Sequence, residues 1–253
     1  MDDAGTRMRD FWDDRAREDA FHFVDPRETY GQADEERFWR RGEQEVDALL
    51  ELLDLEILKS DHVLELGCGV GRLTRVLAQR AQHVTAIDVS PEMLMQAQEH
   101  NDGLYNVEWV LGDGESLFGV EDASVDVVVS HSVFTHIPSP KVQLGYATEF
   151  GRVLKPGGWA AFTLSTDPGA HRAKPPAAPE GAGGSSRRGF LRALVGQAPT
   201  GKDKPEWVGS WVPLDALGAT ATQAGLFLER IEGSSTRRTL VRALREEPPG
   251  APG

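Results

Sequence analysis

Apolar residues along this chain follow two periods in alternation. Beyond residue 60, short apolar runs give way repeatedly to stretches with apolar residues three and four apart, as strands alternating with helices require. Val63, Leu64 and Leu66 form the first run. Further runs cover 83–89, 107–111, 124–132 (with Val125, Val127, Val128 and Val129) and 159–165. Runs so continuously apolar suit parallel strands covered on both faces. Between them, Leu73, Val76 and Leu77 predict a helix over 72–80, and Met93, Leu94 and Ala97 one that ends near 100. Ser90 is the predicted N-cap of that second helix and Pro91 its first residue. A further helix is predicted over 140–153. Upstream, Val46, Leu49, Leu50, Leu53 and Ile57 predict one long helix over 35–58 that lays an apolar stripe on the sheet. Near the end, 214–224 reads as a helix stopped by Gly225, and 226–231 and 238–244 as two strands joined by Gly233-Ser234-Ser235. The pattern is that of an α/β protein.

Composition narrows the partners. The chain has 253 residues and a formal net charge of −13. That balance argues against a nucleic-acid backbone as partner, because neutralising phosphates takes Lys and Arg. Cys68 is the one cysteine, which rules out an intrachain disulfide and a cysteine-based zinc site, and no metal is expected. The acidic amino terminus lacks an apolar secretory core, and no apolar run approaches membrane-spanning length. A soluble cytoplasmic protein is expected, with no membrane partner; the oligomeric state is left open. Residues 1–60 hold 9 Lys and Arg against 18 Asp and Glu, yet carry Phe11, Trp12, Phe21, Phe23, Tyr30, Phe38 and Trp39. So many aromatics need a surface, so this helix-rich leader is either a lid over a ligand or a packed arm.

The candidate chemistry begins at 63–72, where a buried strand runs into Gly67, Gly69 and Gly71 and then a helix. Glycines there permit a sharp turn and bring backbone N–H groups towards a ligand. In open α/β sheets ligands bind at this carboxyl edge. Glu65 sets the loop apart from a phosphate cradle, because a carboxylate is unwelcome beside a pyrophosphate and suits a cationic amino group. Asp88, at the tip of the second strand, suits the hydroxyls of a ribose; the competing duty of capping the next helix already falls to Ser90. Asp113, in Gly112-Asp113-Gly114, is either a ligand contact or a plain Asp-Gly turn. Cys68 reads as a small residue tolerated in a tight turn.

Glu65-x-Gly67-x-Gly69-x-Gly71 resembles motif I of the class I S-adenosylmethionine-dependent methyltransferases (methyltransferase type 11/25-like). Asp126 opening the fourth strand and Leu154-Lys155-Pro156-Gly157-Gly158 before the fifth fit the same family. The resemblance covers about 60–166 closely and 207–245 loosely. It implies a Rossmann-like, doubly wound, seven-stranded and mostly parallel sheet with an antiparallel last strand. It further implies S-adenosylmethionine as cofactor, S-adenosylhomocysteine as product, and cofactor contacts from Glu65, Gly67, Cys68, Gly69, Arg72, Asp88, Val89, Met93, Asp113, Gly114 and Ser130.

Methyl transfer from a sulfonium chiefly demands positioning, and a base only where the acceptor must lose a proton. His131 and His136, just past the fourth strand, are the candidate bases; each is otherwise a loop or cap histidine. No Asn-Pro-Pro-Tyr-like motif follows that strand, which points to a small-molecule acceptor, methylated on oxygen or carbon rather than nitrogen. Two alternatives stand beside this reading: a nicotinamide-dependent oxidoreductase, for which the third glycine comes one residue early, and a binding module that keeps the cofactor site without transfer. The expected organisation is a leader over 1–60, a methyltransferase domain over 61–246 and a frayed tail over 247–253. Pro- and Gly-rich residues 167–205, with 7 Lys and Arg against 2 Asp and Glu between Pro168 and Pro205, read as a mobile basic insertion: a lid or a loop.

Overall fold

The computed structural model describes residues 4–169 and 199–246. Most of the expected 167–205 insertion, and the whole 247–253 tail, therefore lie outside the described residues. The strands are β1 (His62–Leu66), β2 (His83–Asp88), β3 (Val107–Leu111), β4 (Val125–Ser130), β5 (Leu154–Leu164), β6 (Leu226–Glu232) and β7 (Thr239–Arg245). They form one sheet in the order β3-β2-β1-β4-β5-β7-β6. β1 pairs in parallel with β2 and β4, β2 with β3, and β4 with β5. β7 runs antiparallel to both β5 and β6. This is the doubly wound sheet with an antiparallel last strand that the resemblance implied.

The strand residues explain the layers. In β1, Val63 joins the core on one face and Leu64 and Leu66 that on the other. In β4, Val127 and Val129 face one way and Val125 and Val128 the other. One face is covered by α2 (Glu35–Leu53) and α3 (Thr74–Arg80), which bring Val46, Leu49, Leu53, Val76 and Leu77. The other is covered by α5 (Pro140–Val153) and a later helix, Leu214–Gln223, through Phe150, Val153, Leu217 and Ala221. A third, smaller core joins α1 (Ala4–Val24), α2 and α4 (Pro91–His100) around Ala16, Ala20, Phe38 and Met93. The leader's aromatics thus have their surface.

Local chemistry sets the helix starts. Asp34, Ser90 and Ser139 accept from the backbone N–H groups of Arg37, Met93 and Val142, and Pro91 and Pro140 follow two of them. α2 stops five residues before its expected end. Asp54 turns left-handed at φ 53° and its N–H closes on the carbonyls of Leu50 and Glu51. Ile57 stays buried, so the apolar stripe outlives the helix. The expected turn at Leu154–Gly158 is absorbed into β5. Leu154 pairs with Val125 and Trp159 with Val127, so the residues between them bulge out, with Gly157 at φ 80°.

Candidate active site

The glycine loop leaves β1 beside the tip of β2. Gly67, Gly69 and Gly71 have φ of 78°, 54° and 83°. A β-carbon on Gly67 would come within 2.2 Å of Val133, and one on Gly71 within 2.6 Å of Asn101, so the turn is also a packing site. From the glycine pattern alone, this loop's N–H groups are expected to point at a ligand. Here Gly67 and Cys68 donate to the Ile87 carbonyl (2.7 and 3.0 Å), Gly71 to Cys68 (2.9 Å) and Gly69 to an Asp88 carboxylate oxygen (2.8 Å). The other Asp88 oxygen accepts from the Ser90 N–H at 2.9 Å. Burial pushes the Asp88 carboxyl above the usual carboxylate range, opposed by these N–H groups.

Glu65 is buried and accepts from the Thr74 hydroxyl at 2.5 Å. Burial pushes its carboxyl up to about 7; the Thr74 hydrogen bond and the Arg72 charge pull the other way. Arg72, 5 % exposed, gives one nitrogen to Glu45 at 2.7 Å, while its Nε and Nη1 have no hydrogen-bond partner among the described residues. Glu45 also binds Arg27 and stands 3.7 Å from Nε2 of His131. Burial holds the His131 imidazole below its ordinary value; Glu45 opposes this, and Arg72, Arg238 and Arg27 add to it. His136 is differently placed. Its Nδ1 lies 2.8 Å from the Trp207 carbonyl, and its ring packs against Trp12 and Trp207 at 5.3 and 5.0 Å.

These groups surround one cavity of about 500 Å³. Of the residues singled out in the sequence, Glu65, Gly67, Cys68, Gly69, Arg72 and Asp88 line it, as do Val89, Met93, Gly114, His131 and His136. Asp113 and Ser130 stand outside the lining. Asp113 spends its carboxylate on its own turn, accepting from the N–H groups of Glu115 and Ser116 and the Ser116 hydroxyl. Gly5 of α1 packs on that turn so closely that a β-carbon there would meet the Asp113 carbonyl at 2.2 Å. Ser130 is fully buried and donates to the Leu66 carbonyl at 3.0 Å, a brace between β4 and β1. Neither side chain reaches the cavity in this arrangement.

The structure brings Trp12 and Phe23 of the leader's aromatics to the cavity and adds residues that sequence reasoning passed over: Met8 of α1, Arg27, Glu45, Trp207, Arg237 and Arg238. For Glu45 one sequence signal existed. Gly42 sits mid-helix, where glycine costs about 1 kcal/mol against alanine. A β-carbon there would lie 2.6 Å from the Arg72 carbonyl, so Gly42 seats α2 against the loop and delivers Glu45 one turn later.

A carboxyl held near neutrality by burial and a buried guanidinium with two spare donors suit the ammonium and carboxylate of one amino-acid moiety. Residues 64–162 match the family described as a methyltransferase domain. Over 102 residues the chain is 32% identical to the ubiquinone biosynthesis O-methyltransferase of Xylella fastidiosa, covering 40% of each protein. Over 123 residues it is 37% identical to the malonyl-[acyl-carrier protein] O-methyltransferase of a Marinomonas species, covering 47% of this chain and 43% of that protein. Residues 64–162 are a methyltransferase domain. The chain spans less than half the length of these curated relatives. Haemonchus contortus phosphoethanolamine N-methyltransferase 1, solved with phosphoethanolamine and S-adenosylhomocysteine, shares the fold of the methyltransferase domain with a TM-score of 0.58. That likeness covers 98% of this chain and 50% of that one at 15% identity. No helix among the described residues is long and apolar enough to cross a membrane.

Proposed function

We propose that this protein transfers a methyl group from S-adenosylmethionine to a small-molecule acceptor, on oxygen or carbon. The observation that carries the reading is the pairing of Glu65 and Arg72 on one wall of the cavity. Each is buried and each has capacity that the protein itself leaves unused. Glu65 would take the ammonium of the cofactor's amino-acid end and Arg72 its carboxylate. Asp88, at the tip of β2, would meet the ribose hydroxyls while it keeps the loop folded. Val89 and Met93 would flank the base. Bound there, the cofactor supplies an electrophilic methyl group on a sulfonium.

What remains for the chain is to orient the acceptor, exclude water and, for a hydroxyl or acidic carbon, take a proton. Trp12, Phe23 and Trp207 wall the cavity with apolar surface that would exclude water. His131 is the favoured proton acceptor, because its lowered pKa keeps the imidazole neutral near pH 7. His136, tied to the Trp207 carbonyl and packed between two indoles, holds the aromatic wall. Support for an oxygen acceptor comes from the two relatives named O-methyltransferases. The single thiol, Cys68, is buried, which is compatible with a cytoplasmic setting.

Calorimetry with S-adenosylhomocysteine and with NAD tests the cofactor, and a radiolabelled methyl-transfer screen over metabolite extracts tests the reaction. Tight S-adenosylhomocysteine binding with label incorporated into a small molecule is expected. Preferential binding of NAD would overturn the reading, and cofactor binding with no incorporation would leave a binding module.

A further inference from the structure

We infer that the acceptor carries an oxyanion, a carboxylate or phosphate, on an apolar body, and that Arg237 and Arg238 grip it. The inference rests on the methyl-transfer reading and names the substrate class of that same site.

Charge is distributed unevenly in this molecule. The whole chain is at −13, yet one end of the cavity gathers the guanidinium groups of Arg27, Arg72, Arg237 and Arg238. Of the carboxylates that line the cavity, Asp25 and Glu45 are already committed to arginines. Asp25 accepts from Arg27 at 2.6 and 2.8 Å and from Arg41 at 3.3 Å. Glu45 is shared between Arg27 and Arg72. That leaves the pair on the turn between β6 and β7. Arg237 makes one long contact, 3.4 Å to the Val208 carbonyl. The Arg238 guanidinium has no hydrogen bond or ion pair among the described residues. Two exposed cations lining a cavity in an acidic protein, one without a partner among the described residues and one held by a single long contact, are a site for an anion.

Their position is that of the acceptor. Thr239 pairs with Leu164 and Ser130 with Phe162, so the turn stands beside the tips of β5 and β4, next to His131. The turn is also fixed. The Thr166 hydroxyl accepts from the Ser235 N–H at 2.8 Å, and the Thr166 N–H donates to the Thr236 carbonyl at 3.0 Å. A braced turn lowers the ordering cost of binding. The apolar body follows from the wall opposite: the rings of Phe23 and Trp12 lie 5.6 and 6.2 Å from that of Trp207.

The test is ligand-detected NMR on the S-adenosylhomocysteine-loaded protein with benzoate, phenyl phosphate and neutral benzyl alcohol as probes. We expect benzoate or phenyl phosphate to bind about tenfold or more tightly than benzyl alcohol, from charged hydrogen bonds alone. The stronger of the two anions identifies the oxyanion. The double variant R237Q/R238Q should lose about tenfold in affinity for that anion and keep its affinity for S-adenosylhomocysteine. Arg230→Gln, which removes one arginine charge on β6 at a residue paired with Glu232, should lose nothing. Equal binding of the neutral and anionic probes, or anion binding that survives in the double variant, overturns the inference. Failure of S-adenosylhomocysteine to bind at the outset overturns the cofactor reading instead, and the inference with it.

Discussion

The backbone N–H of Gly69 donates to the side chain of Asp88 over 2.8 Å, tying the glycine loop of β1 to the tip of β2. One carboxylate therefore serves both the loop's shape and the proposed ribose contact. Asp88→Ala removes both, while Asp88→Asn keeps a carbonyl oxygen for Gly69. S-adenosylhomocysteine affinity should fall at least tenfold in Asp88→Ala, at about 1.5–3 kcal/mol per charged hydrogen bond. Asn should lose less and melt closer to the wild type. Calorimetry and thermal melts on both variants check this; unchanged affinity in folded Asp88→Ala would leave Asp88 a brace alone.

Glu65 makes stability depend on pH. Its folded pKa is raised to about 7, so the folded protein holds the proton more tightly than the unfolded chain. The resulting stabilisation is complete below the ordinary glutamate range. It is lost as pH climbs to 7 and through it. Glu65→Gln should therefore melt above the ligand-free wild type at pH 8, by at most about 3 kcal/mol in stability, and match it near pH 4. An ammonium partner would reverse the preference and favour the carboxylate. Cofactor affinity should then rise between pH 5.5 and 7.5 with proton release, visible as buffer-dependent calorimetric heats. A flat affinity would separate Glu65 from the ammonium.

The two histidines should part company. His131→Asn is expected to cut turnover by about 10²- to 10⁴-fold while cofactor affinity holds. Glu45 is the charge that raises the His131 pKa, against burial and three arginines. Glu45→Gln should accordingly shift the acidic limb of the turnover profile to lower pH. His136→Asn should lower the melting temperature instead, through its lost bond to Trp207 and two ring contacts. Normal turnover in His131→Asn would leave catalysis to proximity.

Asp13 docks α1 on the cofactor half. Its carboxylate accepts from the Ser90 hydroxyl at 2.5 Å and the Glu92 N–H at 3.0 Å, at the start of α4. Asp13→Ala should destabilise the protein by about 1–2 kcal/mol. Because Met8 and Trp12 of the same helix wall the cavity, cofactor affinity should drop too. Limited proteolysis within α1 reports the docking, and an unchanged cleavage rate would count against it.

Local signals carried much of this structure. Ser90-Pro91 marked a helix start because capping is chemistry between near neighbours. The strands were legible because burial on both faces leaves few polar positions. The end of α2 was not, since the apolar spacing through Ile57 says what is buried and not whether the backbone is still helical. Within the site, Gly67, Gly69 and Asp88 line the cavity, but the loop's N–H groups go to Ile87, Cys68 and Asp88. Backbone donors are anonymous in a sequence, and only packing decides their partners. Asp113, exposed on the surface, spends its carboxylate on Glu115 and Ser116 of its own turn, a choice set by neighbours two and three residues away. Arg27, Glu45 and Arg238 belong to three separated segments, and no spacing rule brings them together.

The strand order β5-β7-β6 has a consequence for how such a protein can change. β7 turns back between its neighbours, so the six-residue turn from Gly233 to Arg238 brings Arg237 and Arg238 to the cavity. The hydrophobic ladder of β6 and β7 lies below them. Rewriting those six positions would alter what the mouth attracts without touching β1, β2 or the loop that Asp88 holds. On the proposed reading, the acceptor's grip and the cofactor's contacts lie in separable stretches of chain. A laboratory seeking a new acceptor could randomise the first and leave the second alone.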